Sequence, residues 1–367
     1  MVVEGTDLAL LEVSPLNPRA SDNPDRLLRR VPPTVDARNS DLGQNVGMAR
    51  TSIVSAADTA TPPPAPGSTG GGGIAAAIAA FVMWGLFPLY LIGLVNVSAM
   101  QITAHRIVWS CVFVLAWLAV RGELGQLLEA ARRQGVLIRL AVSAFFIAVN
   151  WVGFAWAVNH GHVLEVSLAY FMGPLLNILL GIFVLSERLD RTQWIAVAFA
   201  AAGVAYLTFV AGHTPWIALM VGSSFAFYGL IRKTVSIDAL PGLAVETILL
   251  VPFAVGYLIW CEVQGMGTLG HMSGLVDALL LLGGVVTSIP LFLFAYGARR
   301  VPYSTIGVLQ FIAPTMQLVC GLVVFGEPFE SARATGFVLI WVGLLIYAAN
   351  ALWRARTLKP APSPLGS

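Results

Sequence analysis

From residue 74 to residue 352 the chain reads as ten apolar runs, each close to the roughly 20 residues that an α-helix needs to cross a bilayer core. They fall at about 74–95, 101–120, 136–157, 163–185, 192–210, 215–231, 241–261, 275–297, 303–325 and 332–352. Charge or turn residues separate them: Arg121 to Arg133, Glu187 to Arg191, Gly212 with Pro215, Arg232 with Lys233, and Arg299 with Arg300. Inside a bilayer each backbone N–H and C=O must be satisfied within the protein, and these lengths suit helices rather than barrel strands. The expected fold is an all-α integral membrane protein with ten transmembrane helices. Composition agrees, with 57% hydrophobic and 11% charged residues against about 25% charged in a typical soluble domain. A net charge of +2, with no basic run interleaved with aromatics, argues against nucleic acid as a partner.

Two stretches within these runs match each other at a constant offset of 140 without a gap. Phe171 pairs with Phe311, Pro174 with Pro314, Gly181 with Gly321, Val184 with Val324, Glu187 with Glu327 and Gly203 with Gly343. Composition alone does not produce such matches, because proline and glycine set backbone geometry and glutamate sets charge. Weaker matches extend backward, Trp84-Gly85 answering Tyr228-Gly229. The chain therefore divides into a first five-helix repeat, 74–212, and a second, 213–353.

Positive charge fixes the expected orientation. Connections after even-numbered runs carry Arg121, Arg132, Arg133, Arg188, Arg191, Arg232, Lys233, Arg299 and Arg300, and the tail over 354–367 adds Arg354, Arg356 and Lys359. The opposite side has only Arg333, with Glu262, Asp277, Glu327 and Glu330. The positive-inside rule then places both termini and the tail in the cytoplasm. Because five is odd, the second repeat sits inverted relative to the first. Inverted repeats are the usual basis of alternating access in secondary transporters.

The first 73 residues differ in kind. They hold eight acidic residues, six arginines, a proline patch at Pro62 to Pro66 and a glycine run at Gly70 to Gly73. Their apolar residues show no period, so a disordered extension is expected, and they lack the layout of a secretory signal. Met48 offers an alternative start. Cys111, Cys261 and Cys320 all lie in apolar runs without metal-like spacing, and read as inert packing residues.

The string Phe81 to Tyr90, then Ala104-His105-Arg106-Ile107-Val108-Trp109-Ser110, Asn150-Trp151, Ser167 to Leu175 and Val245-Glu246-Thr247 together carry a family resemblance. The chain resembles RarD, a branch of the EamA-like drug/metabolite transporter superfamily, over about residues 74–353. The resemblance implies a ten-helix permease of the bacterial inner membrane, in a branch associated by name with chloramphenicol sensitivity. It supplies no substrate.

Ionisable groups inside apolar runs cost at least about 2.5–3.5 kcal/mol at mid-helix on insertion scales, so the few present are candidate functional residues. His105 and Arg106 lie early in the second run and Glu246 early in the seventh, its repeat partner. A His or Glu facing a wet cavity can bind and release protons. Arg106 can hold an anionic substrate group or pin Glu246 by charge. The plainer readings are a snorkelling Arg106 and a His105 satisfied at the interface. Asn150, Trp151 and Tyr170 are candidates for a polar-aromatic cavity wall together with Gln310. Trp156, Tyr170 and Asn177 recur 140 residues later as Tyr296, Gln310 and Gln317; of these, Trp156, Asn177, Tyr296 and Gln317 are assigned to packing. Pro174 and Pro314 are candidate hinges. Glu187 and Glu327 read as interfacial anchors of the following helix, and Ala196, Ala200 and Gly203 as a close-contact face. His160, His162 and Glu165 read as solvated loop residues, with no third ligand for a metal.

The expected function is a secondary-active permease for a small metabolite or drug-like molecule, with protons as a candidate coupling ion. No phosphate-binding loop, HExxH motif or serine-histidine arrangement is present, so neither an ATPase nor an enzyme is expected, and no cofactor or metal. The alternative is a non-transporting sensor or assembly protein of the same fold. Ten helices can enclose their own cavity, so monomer and homodimer both fit.

Overall fold

The computed structural model describes residues 70–212, 215–326 and 331–357. The expected extension up to residue 69, the end of the tail, and Glu327 and Glu330 lie outside the described residues. All ten apolar runs are helical. In chain order the helices are α1 Gly70–Gly85, α2 Phe87–Leu91 (followed by a 3-10 turn, Ile92–Leu94), α3 Ala99–Val120, α4 Leu124–Arg132, α5 Gln134–Asn159 and α6 Val163–Phe183. There follow α7 Arg191–Ala211, α8 Trp216–Thr234, α9 Ala239–Val263, α10 Gly274–Ala298, α11 Tyr303–Gln310, α12 Ile312–Val323 and α13 Ser331–Thr357. The glycine run assigned to the extension forms the first turn of α1.

Among the described residues, nine helical stretches are long and apolar enough to cross a membrane. The helix outside that set is α8, which carries Ser223, Ser224, Arg232 and Lys233. The amphipathic α4, inside the long connection between the second and third runs, was not expected from the apolar pattern.

Proline chemistry explains why the first and ninth runs are interrupted. Pro88 sits in the first turn of α2 and cannot donate to the carbonyl four residues back, that of Trp84. That carbonyl instead accepts from Gln317 Nε2 at 3.2 Å. Pro314 similarly leaves the Gln310 carbonyl without its helical donor, and the helix breaks at Phe311 between α11 and α12. Its repeat partner Pro174 lies inside an unbroken α6. The two candidate hinges are therefore not equivalent.

Helix α7 packs along α13; α6 packs on α8 and α11; α5 on α8; α1 on α10 and α12; α3 on α9 and α10; and α5 on α9. Small residues permit the closest of these contacts. A Cβ at Gly203 would lie 2.7 Å from the Gly336 carbonyl oxygen, and one at Gly343 2.6 Å from that of Ala196. The Ala196, Ala200 and Gly203 face thus packs within the chain, against α13. Outward faces carry exposed apolar side chains such as Val120, Phe253, Val263 and Leu345.

Hydrogen bonds define the two ends of the bundle. At one, Ala99 N–H bonds Asn159 Oδ1 and Gln101 Nε2 bonds the Met266 carbonyl. At the other, Lys233 donates to the Ala298 and Val301 carbonyls, Arg299 to the Ile237 carbonyl, and Arg354 pairs with Asp190 at 3.0 Å. The cationic connections meet at this second end.

The repeat reappears in the backbone. Val184 and Val324 cap their helices with nearly identical angles (φ −95, ψ −42 and φ −94, ψ −42). Val184 and Leu185 both donate to the Leu180 carbonyl, as Val324 and Phe325 do to that of Cys320. The next turn is left-handed in both halves, at Ser186 (φ 55) and Gly326 (φ 65).

Candidate functional site

Between the halves lies a cavity holding about 910 Å³ of empty space, its mouth included. Helices α1, α2, α3, α5, α6, α8, α10, α11 and α12 all contribute to its wall. Most of that wall is aromatic: Phe81, Trp84, Phe87, Trp151, Phe154, Tyr170 and Phe225. The polar groups are Arg106, Asn150, Gln310 and Gln317 besides the Tyr170 hydroxyl. A concave, mostly apolar site with a few convergent polar groups has the general form of a small-molecule pocket.

Arg106 is the one charged side chain in this wall. Close approach of α3 to α10 sets its position. A Cβ at Gly284 would lie 2.4 Å from the Trp109 carbonyl oxygen, and one at Gly283 3.1 Å from Arg106 Cγ. Nε donates to Thr287 Oγ1 at 2.7 Å, anchoring the guanidinium to α10. The rings of Phe87 and Trp151 lie 4.8 and 5.4 Å from its carbon, within cation–π range. The expectation that Arg106 might pin Glu246 does not hold: among the described residues Glu246 pairs with Arg232, at 3.6 Å. Arg106 does not snorkel to the surface either, because Thr287 and the two rings hold it against the cavity.

The amides are oriented by backbone and side-chain partners. Asn150 Nδ2 donates to the Val221 carbonyl at 2.7 Å. Asn177 Nδ2 donates to Gln310 Oε1, while Asn177 Oδ1 accepts from the Tyr303 hydroxyl at 2.9 Å. Tyr303 in turn donates to the Ala226 carbonyl at 2.6 Å. The cavity floor on this side is thus a network joining α6, α8 and α11. Gly173 and Gly222 bring α6 and α8 together beside it, a Cβ at Gly222 lying 3.2 Å from the Gly173 nitrogen.

A second polar cluster lies off the cavity wall, toward the cationic end. Arg232 is fully buried and Glu246 is 1% exposed. Arg232 Nη2 donates to the Ala239 carbonyl at 2.7 Å. Gly242 makes the room, since a Cβ there would lie 2.0 Å from Arg232 Nη1. Ser143 and Tyr228 face the Glu246 carboxylate, yet neither carboxylate oxygen has a hydrogen bond of good geometry.

Of the residues expected at a site, Arg106, Asn150, Trp151, Tyr170 and Gln310 come together in one wall, joined by Gln317, which had been assigned to packing. Glu246 is separate from them, as is His105, which is buried in α3. Trp156 stacks on His160 and His162 at one end instead, and Tyr296 lies under Arg300. Sequence reasoning missed Thr287, Arg232, and the aromatic set Phe81, Trp84 and Phe87. The last three lay inside the string that carried the family resemblance, and Trp84 inside a repeat match. Glu187 anchors, but not the helix that follows it: its carboxylate accepts the backbone N–H groups of Tyr303 and Ser304, capping α11 in the other half.

The model of the EamA-like transporter family matches residues 71–209. The uncharacterized transporter YojE of Bacillus subtilis (strain 168) is 43% identical over 284 residues, spanning 76% of this chain and 94% of that relative. The chain belongs to the EamA-like transporter family. Within it, Protein RarD of Streptomyces exfoliatus is 44% identical over 281 residues, 76% of this chain and 88% of that one. A solved crystal structure superposes with a TM-score of 0.60 over 76% of this chain and 98% of that chain; at 18% identity it shows a shared fold. As a RarD-type membrane transporter, the protein needs a place to hold a solute. The aromatic wall around Arg106 has the form of one, whereas the Arg232–Glu246 cluster is closed off from it.

Proposed function

We propose that this transporter is a secondary-active permease of the cytoplasmic (inner) membrane, moving a small organic molecule by alternating access. The substrate sits in the aromatic cavity between two inverted five-helix halves, with α8 as a tenth span and both termini cytoplasmic. The observation that carries this reading is the repeat. Each neighbour pair has a counterpart five spans on: α6 with α8 answers α11/α12 with α1, and α5 with α8 answers α10 with α1. The pairs α3 with α9 and α7 with α13 lie across the axis between the halves. A pseudo-two-fold arrangement of this kind has two conformations of similar energy, each closed at one end.

In the present conformation the cationic end is closed. The Asn177–Gln310–Tyr303 network and the stacked rings of Tyr228 and Phe294, 6.1 Å apart, stand between the cavity and that end, so the arrangement is outward-facing. Protons are the coupling ion in this reading, and Glu246 is their carrier. It is the one buried acidic residue among the described ones, and its partner Arg232 holds the charged form while the closed end persists.

Counterflow in reconstituted vesicles tests the proposal. Wild type is expected to accumulate substrate against a concentration difference when a pH difference is imposed. Glu246→Gln is expected to lose that accumulation while retaining exchange of labelled for unlabelled substrate. Accumulation by Glu246→Gln at the wild-type rate would refute the coupling assignment, and channel-like leak in both would refute alternating access.

A further inference from the structure

Resting on the reading of the cavity as the substrate site, we infer that the substrate is an organic monoanion: a carboxylate, or a group of the same charge and fork geometry, on a planar aromatic body. The charge follows from the wall. Arg106 is its one charged member, and among the described residues no carboxylate lies within ion-pair distance of it. Thr287 takes the Nε edge, and Phe87 and Trp151 occupy the ring-facing sides. The two terminal Nη groups remain, and they form a fork matched to the two oxygens of one carboxylate. A cation desolvated among aromatic rings and lacking a counter-ion is costly, so a site of this kind is completed by the anion it binds.

The shape of the body follows from the rings. Trp84, Trp151, Phe154, Tyr170 and Phe225 surround the remaining space, and flat partners gain most from such walls through offset and edge-to-face contacts. Beyond the rings the wall offers the acceptor Asn150 Oδ1 and the donor Gln310 Nε2, whose sister atoms are already engaged. These suit one hydroxyl or carbonyl substituent away from the anionic group. No acidic residue in the wall is available for an ammonium, and Arg106 repels one, which favours a net anion over a zwitterion.

The test uses purified full-length protein and the fluorescence of Trp84 and Trp151, with a matched probe set. This comprises benzoate and 4-hydroxybenzoate, their neutral amides, butyrate as an aliphatic acid, benzylamine as a cation and phenylalanine as a zwitterion. Benzoates are expected to bind roughly tenfold or more tightly than their amides, the margin of a charge-assisted hydrogen bond over a neutral one, and above butyrate, benzylamine and phenylalanine. Arg106→Gln is expected to abolish the acid-over-amide preference, Arg106→Lys to retain part of it, and Thr287→Val to weaken it. Equal binding of acid and amide to wild type overturns the inference without any variant having to fold. Tightest binding by phenylalanine, or no binding by any aromatic acid, overturns it as well. Flux in vesicles separates the two proposals. Acid-selective binding without flux leaves the anion site standing and removes the permease; flux of the amides as fast as the acids does the reverse.

Discussion

At the scale of single residues, the costliest feature is the Arg232–Glu246 pair, because both partners are out of water. Removing one member of a buried pair strands the other and typically costs about 3–5 kcal/mol. Glu246→Ala is therefore expected to destabilise the protein by that amount, whereas Arg232→Met with Glu246→Leu restores most of the loss. Equilibrium unfolding of the three variants, read as a double-mutant cycle, checks this, and equal losses in single and double variants would contradict it. Glu187 presents a milder case of the same chemistry. Its carboxylate meets two otherwise unbonded N–H groups at the start of α11, so Glu187→Ala should cost about 1–2 kcal/mol, in the range of a lost helix cap. Gly181 is tied to it: a Cβ there would lie 2.8 Å from Glu187 Oε2 and 2.9 Å from the Ser304 nitrogen. The matched Gly-and-Glu spacing that revealed the repeat is, in the first half, the room and the group for one cap. A glutamate just past a helix end looks the same in sequence whether it caps its own neighbour or a helix more than a hundred residues away. That is why its partner was not legible.

Among the elements, helix existence and limits were legible because a bilayer leaves the backbone few alternatives, and the apolar runs predicted the helices to within a few residues. The interruptions were not, because proline alone does not break a helix: Pro174, Pro252 and Pro290 all lie inside continuous helices. What differs at Pro88 is a long-range acceptor relation, Trp84 to Gln317, which no local pattern encodes. Arg232 and Lys233 misled for a related reason. Adjacent cations at a helix end read as solvated inside charges, yet Arg232 is fully buried and Lys233 is bound to the carbonyls that end α10. The pairing of α7 with α13 offers an element-scale test. Gly203→Leu must displace the Gly336 backbone and is expected to separate the two helices, lowering the thermal midpoint measurably, while Ala200→Gly should change it little. The same pair carries a pH dependence. Asp190 caps α7 through the Gln193 N–H and reaches Asn350 and Arg354 on α13. Although partial burial raises its carboxyl, these hydrogen bonds and the Arg354 charge outweigh that and hold it below the ordinary 3.8. A depressed folded-state value contributes stability above the unfolded-state pKa and loses it as pH falls through the folded one. Wild type should therefore lose stability on acidification below about pH 4 more steeply than Asp190→Asn, as seen in unfolding midpoints measured across that range.

For the molecule as a whole, the question is whether the closed cationic end and the open aromatic cavity exchange roles. The argument for exchange is energetic. The repeat gives both halves the same turn, with Ser186 and Gly326 left-handed at corresponding positions, so the contacts that close one end have counterparts able to close the other. The difference between the states then rests on a few unmatched contacts, and Arg232 with Glu246 is the largest of them. Two reporter cysteines follow these motions, placed in a background where the buried Cys111, Cys261 and Cys320 are replaced by serine. Asn150→Cys reports on the cavity, and Ser304→Cys, at a position 3% exposed, reports on the closed end. Membrane-impermeant thiol reagent should label the first from the outside and leave the second unlabelled. Neutralising the latch with Glu246→Gln should raise labelling of Ser304→Cys from the cytoplasmic side and lower that of Asn150→Cys from the outside, in the same protein population. Opposite changes at the two positions mark exchange between closed ends. Both positions labelling together would mean a continuous pore, and unchanged labelling at both would mean that the Arg232–Glu246 pair holds the fold together without governing its opening.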